Sequence, residues 1–270
     1  MSRSYHVPVE MYQYRIILRR VSTALLRAIM PFTGDLSDAA IAIREVLDNL
    51  GVPFGIFGGF AVATLGGPRE SKDIDCAVHC TKEWLVENLK KIEGFKSMDN
   101  QRQDIVTFLW GDRNVLLEFF PSESKDQQVT VSSAKGTTAS MLNMTTIRME
   151  VTGRQAGKST TQILDPVIIF KGKLYATSMR NKYSDAADLT WLATKFSSEL
   201  QSRSKELSRH MIGRVVKRHP HLERTFSSII GADGVEASIA TAREQDMNQL
   251  SVIEQNQVQN GLLFGLPAAK

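Results

Sequence analysis

The stretch from Phe57 to Asp75 constrains this chain more than any other. An apolar run closes on Gly58-Gly59, and Phe60 to Leu65 has helical character. Gly66-Gly67-Pro68 stops it, and the basic loop Arg69-Glu70-Ser71-Lys72 leads into Asp73-Ile74-Asp75. Residues i and i+2 of a strand project from one face, so Asp73 and Asp75 present two carboxylates side by side. Such a pair is not buried in an apolar core without a partner. Two adjacent hard carboxylates suit Mg²⁺ (or Mn²⁺), which takes oxygen ligands and often sits with substrate phosphates. The glycine pair lets backbone N–H groups approach an anion closely, and a helix starting there adds its positive end. A phosphate cradle beside a metal seat predicts chemistry at a nucleoside triphosphate (NTP).

The same residues resemble motif I of the polymerase-β-like nucleotidyltransferase superfamily, a Gly pair followed by Arg-x-Ser-x-Asp-hydrophobic-Asp. Gly58, Gly59, Ala61, Arg69, Ser71, Asp73 and Asp75 carry the likeness. The minimal, antitoxin-like and aminoglycoside nucleotidyltransferases look most similar, over about residues 35–200. The resemblance implies transfer of an NMP group from an NTP, ATP first, to an acceptor hydroxyl with release of pyrophosphate. Two metal ions about 4 Å apart clamp the attacking and leaving oxygens in such reactions. A third carboxylate on a neighbouring strand completes sites of this kind. Glu118 follows the Asp-x-Asp strand by one helix and one hairpin, where the family's third acid lies, although Asp is commoner there. Asp104 and Asp112 are weaker rivals, one at a strand start and one in a turn.

Further along, Phe170-Lys171-Gly172-Lys173-Leu174-Tyr175-Ala176 resembles the family's helix bearing a triphosphate-reaching lysine, with Lys171 matched to that role. A lysine whose stem covers a half-buried helix accounts for it equally well. Arg69 is expected either on the triphosphate or paired with an aspartate, and Ser71 either as a loop cap or as a phosphate contact. Arg180 to Leu189 is similar to a segment that follows this helix in the antitoxin-like members, with Asp185 and Asp188 as secondary candidates.

The expected fold is α+β: a mixed β-sheet with helices on one face, followed by a helical segment. Four regions are expected: an amphipathic extension at 1–34, the catalytic core at 35–152, a helical segment at 153–230 and a polar helix or tail at 231–270. Helices are expected at 36–50, 60–65, 82–92, 167–179 and from Ser184. Strands are expected at 53–57, 74–78, 105–110, 115–120 and 147–151, with some strand near 129–131. Ser37-Asp38 supplies capping oxygens for the first helix, Gly111 to Asn114 suits a hairpin turn, and Asp165-Pro166 reads as a helix start. Gly153 to Thr160 mimics a phosphate-binding P-loop. Its first Gly is one residue too close to Gly157-Lys158, and no helix follows directly, so an exposed loop is expected.

The remaining features bound the setting. A charged fraction of 23% and an apolar fraction of 42% are ordinary for a globular chain. No apolar run reaches the ~18–20 residues of a membrane span. Cys76 and Cys80 are expected as free buried thiols in a reducing, cytoplasmic setting. Residues 1–34 hold five Arg, no Lys and one acid, Glu10. That composition suits a helix with a basic face or, alternatively, a mitochondrial leader. A net charge of +4 permits nucleic-acid binding without requiring it. Residues 201–225 carry seven Lys/Arg and three His, but lack the interleaved aromatics of a base-stacking surface. The acceptor stays open among a small molecule, RNA and protein. A non-catalytic nucleotide-binding or regulatory module that keeps the fold is the alternative.

Overall fold

The computed structural model describes residues 33–99, 105–121 and 145–242. The extension before residue 33, the expected strand near 129–131, Asp104 and the chain beyond 242 lie outside the described residues.

Helix α1 spans Thr33–Asn49, and its apolar stripe, Leu36, Ala39, Ala40, Ile43 and Leu47, is fully buried. Strand β1 (Phe54–Phe57) runs into helix α2 (Gly58–Thr64), which begins at the glycine pair itself. Strand β2 (Asp73–Val78) and helix α3 (Lys82–Leu89) follow, with Thr81 accepting the Trp84 N–H as N-cap. Strands β3 (Phe95–Met98), β4 (Val106–Trp110) and β5 (Val115–Pro121) form a meander. The β4–β5 turn includes Gly111 at φ +66° and Asn114 at φ +51°. Strands β6 (Thr146–Thr152) and β7 (Lys158–Leu164) make a hairpin.

These strands form one seven-stranded mixed sheet, ordered β3-β4-β5-β2-β1-β7-β6. Pairing is parallel between β2 and β5 and between β1 and β7, and antiparallel elsewhere. Helix α1 packs against β7, β6, β2 and β5. Ile74, Cys76, Leu117 and Phe119 on β2 and β5 are buried in the same core, which leaves Asp73, Asp75 and Glu118 on the alternate positions.

A helical portion follows, from α4 (Pro166–Met179) and α5 (Tyr183–Lys195) through α6 (Ser197–Ser202), α7 (Arg209–Arg218) and α8 (Glu223–Ile230) to α9 (Ala232–Thr241). Asp165 caps α4 by accepting the Val167 N–H at 2.9 Å, and Pro166 occupies the first helical position, where its missing N–H costs nothing. Helix α4 packs on α2, so the second half of the chain meets the helix that begins at the glycine pair.

Two sequence expectations change here. The segment at 153–230 opens with a sheet strand, β7, so its helical part starts at Pro166. Asp38 does not cap a helix: α1 begins at Thr33, and the Asp38 carboxylate reaches the β6–β7 turn. There it accepts the N–H groups of Gln155 (2.9 and 3.1 Å) and Ala156 (2.9 Å). The P-loop lookalike is therefore the β6–β7 turn and the first residues of β7, with the Gln155 and Ala156 amides taken by an internal carboxylate. Gly153 admits it: a Cβ there would stand 2.0 Å from Asp38 Oδ1. Asp38→Ala leaves two amides without this acceptor and empties a buried position. We expect a stability loss of about 2–3 kcal/mol in urea denaturation, with nucleotide binding by the folded protein unchanged.

Candidate active site

Register brings the three predicted acids together. On the parallel β2–β5 pair, Asp75 lies directly opposite Glu118 and Asp73 opposite Leu116. Asp73, Asp75 and Glu118 therefore share one face of two adjacent strands, each only half-buried while the residues between them are fully buried. Ser71 Oγ lies 3.1 Å from both Asp73 Oδ1 and the Asp73 carbonyl oxygen. The buried Ser71 hydroxyl thus orients the first carboxylate.

Asp75 feels the crowding most. Burial first, then the charges of Asp73 and Glu118 and a hydrogen bond with Glu118, push its carboxyl from 3.8 up to about 7, against the pull of Lys173. Negative charge is concentrated here beyond what the nearest protein cation balances. A hard divalent cation would answer that imbalance, with the carboxylate that held it ionised. The donor set is all oxygen, which suits Mg²⁺ or Mn²⁺ rather than zinc. Among the described residues no three such side chains are already closed into a metal cage.

The glycines explain how the backbone comes so near. Phe57, the last residue of β1, pairs with Asp75. Gly58 then turns at φ +69°, and a Cβ on it would lie 1.8 Å from Asp75 Oδ2. At Gly59 a Cβ would meet Ser71 Oγ at 2.6 Å and the Arg69 Nη atoms at 3.1 and 3.3 Å. The Arg69–Ser71 loop folds directly over Gly59, so the cradle is built from both ends of the motif.

Arg69 pairs with an aspartate of α5. Its Nε donates to Asp188 Oδ1 at 2.7 Å and its Nη2 to Asp188 Oδ2 at 2.6 Å, a two-pronged pair between the loop and α5. The hydrogen bond to Asp188 raises the guanidinium pKa despite burial. Lys173 Nζ stands 2.8 Å from Asp188 Oδ2 and 3.3 Å from Asp185 Oδ1, and Arg180 Nε donates to Asp185 Oδ2 at 2.7 Å. Burial would raise the Asp185 pKa, but the Arg180 hydrogen bond and the Lys173 charge hold it below the usual range.

Lys171 goes elsewhere. Its ammonium lies 3.5 Å from Glu206, away from the acids, while Lys173 is the lysine that acts on Asp75. The cause is helical phase. Lys173 falls four residues after Ile169, three after Phe170 and four before Thr177, all buried, whereas Lys171 lies on the rim. This phase was the available signal. Asp112 lies exposed in the β4–β5 turn.

No family model and no curated protein matches the sequence. Among solved structures, the chain is similar to an antigenic nucleotidyltransferase-like protein from Paracoccidioides brasiliensis. That pair is 18% identical, covers 74% of this chain and 96% of the other, and has a TM-score of 0.47. It is also similar to the lincosamide antibiotic adenylyltransferase LnuA in its lincomycin-bound form, at 16% identity, 55% and 90% coverage and a TM-score of 0.36. A third, ANT(2")-Ia in complex with adenylyl-2"-tobramycin, gives 18% identity, 57% and 86% coverage and a TM-score of 0.39. These likenesses are remote. The α+β architecture and the site stand on the strand register and side-chain distances of this chain. No described helix is long and apolar enough to cross a membrane.

Proposed function

We propose that this chain is a divalent-metal-dependent nucleotidyltransferase, moving an NMP group from an NTP, with ATP the first candidate, to an acceptor hydroxyl. One observation carries it: Asp73, Asp75 and Glu118 share one face of adjacent strands, beside a glycine pair whose Cβ atoms would fill the approach. Oxygens of these three acids would hold Mg²⁺ or Mn²⁺, which supplies charge neutralisation for the phosphates and acidifies the attacking hydroxyl. The backbone at Gly58-Gly59 offers close approach to phosphate oxygens. Arg69 and Lys173 bring positive charge to the same side from two separate segments. The acceptor oxygen bonds to the α-phosphorus as the bond to the pyrophosphate oxygen breaks, and the hydroxyl proton passes to the Asp75–Glu118 carboxylates.

The test is incubation with each of four α-labelled NTPs and Mg²⁺, with cell extract as acceptor source. Label transfer and pyrophosphate release are expected with the parent and absent from Asp73→Asn/Asp75→Asn. Failure of the parent to release pyrophosphate under any of these conditions would favour a module that only binds nucleotide. Unchanged Mg²⁺-dependent NTP binding in the double variant would overturn the metal assignment.

A further inference from the structure

Asp188 has no place in the acid triad, yet it is the most heavily engaged buried carboxylate near it. Only 1% of its side chain is exposed, against 29% for Arg69. Oδ1 takes Arg69 Nε, and Oδ2 takes both Arg69 Nη2 and Lys173 Nζ. One carboxylate thus fixes two cations from different parts of the chain: the loop between α2 and β2, and helix α4. The fixed guanidinium packs against Gly59 beside Ser71, the hydroxyl that orients Asp73. Asp185, which also contacts Lys173, is itself paired with Arg180. The cluster of Arg69, Lys173 and Arg180 against Asp185 and Asp188 is cationic by one charge, next to the three acids.

We propose that Asp188 is a positioning residue for the phosphates of the nucleotide. It acts as an internal anion that holds Arg69 across Gly59 and Lys173 beside Asp75 before any ligand arrives. The inference rests on the nucleotidyltransferase reading. Its physical content is preorganisation. A long cationic side chain ordered in advance loses less freedom on meeting a phosphate, and planar pairing with a carboxylate fixes a guanidinium in both place and orientation. Replacing Asp188 by Asn removes the charge and turns one acceptor into a donor facing other donors. Arg69 is then released to solvent, and its loop no longer closes over Gly59.

The experiment measures Mg²⁺–NTP and inorganic tripolyphosphate binding by titration calorimetry. The proteins are the parent, Asp188→Asn, Arg69→Gln and the double variant, each with its folded fraction determined by thermal unfolding. In the parent both probes bind. In Asp188→Asn the Kd of the folded fraction rises about tenfold or more, the scale of a lost charge-assisted bidentate pair. The double variant is no weaker than Arg69→Gln alone, because both changes remove one device. KM for NTP rises more than kcat falls. A purely structural role predicts a lower melting temperature with an unchanged Kd per folded molecule, and that result overturns the proposal. Additive losses in the double variant overturn it as well. Arg69→Gln, at a partly exposed position, carries the binding test alone if Asp188→Asn does not fold. Absence of binding in the parent overturns the nucleotidyltransferase reading itself, whereas parent binding with an unaffected Asp188→Asn removes the positioning role alone.

Discussion

Asp75→Asn is expected to abolish nucleotidyl transfer, by roughly 10³-fold or more, while making the metal-free protein more stable at alkaline pH. The first effect follows from losing a carboxylate that would bind metal and answer charge developing at the phosphates. The second follows from linkage. With its carboxyl pushed from 3.8 to about 7, folded Asp75 keeps a proton that the unfolded chain releases between those values. Its contribution to stability is present below the unfolded value and is lost as pH rises through the folded one, at up to about 1.4 kcal/mol per pH unit. An amide at this position carries no such penalty. Urea denaturation in chelator at pH 5 and pH 8 checks it: the parent loses more stability across that interval than the variant. Added Mg²⁺ restores stability to the parent at pH 8 and gives little to the variant. Equal pH slopes in the two proteins would contradict the crowded-acid account.

Gly58→Ala is expected to be nearly as damaging to activity and far more damaging to the fold. The residue occupies φ +69°, and the added methyl would stand 1.8 Å from Asp75 Oδ2 and 2.8 Å from its Cγ. Either the β1–α2 turn opens or Asp75 leaves its place opposite Glu118. Backbone strain and the collision together cost about 2–4 kcal/mol, read as a lowered denaturation midpoint. Gly172→Ala provides the contrast. It lies inside α4, and a Cβ there meets nothing within 4 Å. Alanine should stabilise the protein by about 0.5–1 kcal/mol with transfer activity unchanged. Opposite signs at two glycines separate a functional close approach from an incidental one.

The local half of this site was legible in the sequence because its chemistry is written in short spacings. The glycine pair, the length of the following loop and the alternation of Asp73 and Asp75 each act within a few residues. Glu118 was reachable through strand parity and chain order, since Leu117 and Phe119 fix which face it takes. Lys173 was missed in favour of Lys171, because choosing between two lysines two residues apart needs the buried face of α4. That face is set by packing on α2 and α5. The Arg69–Asp188 pair spans 119 residues and leaves no local trace. Strand β7 was hidden for a related reason: Lys158 to Gln162 is polar, and its membership in the sheet depends on α1 and β1. Strand β3, with Phe95 its only buried residue, gives almost no alternation signal.

The grip of Asp38 on the β6–β7 turn has a consequence for hydrogen exchange. Gln155 and Ala156 sit at the exposed tip of a hairpin, where amides ordinarily trade protons with water almost at once. Here their N–H groups point at a carboxylate anchored in α1. They should exchange slowly and in step with that helix, and Asp38→Ala should release them while the ladder amides of β7 stay protected. A surface turn would then keep the time of the element beneath it.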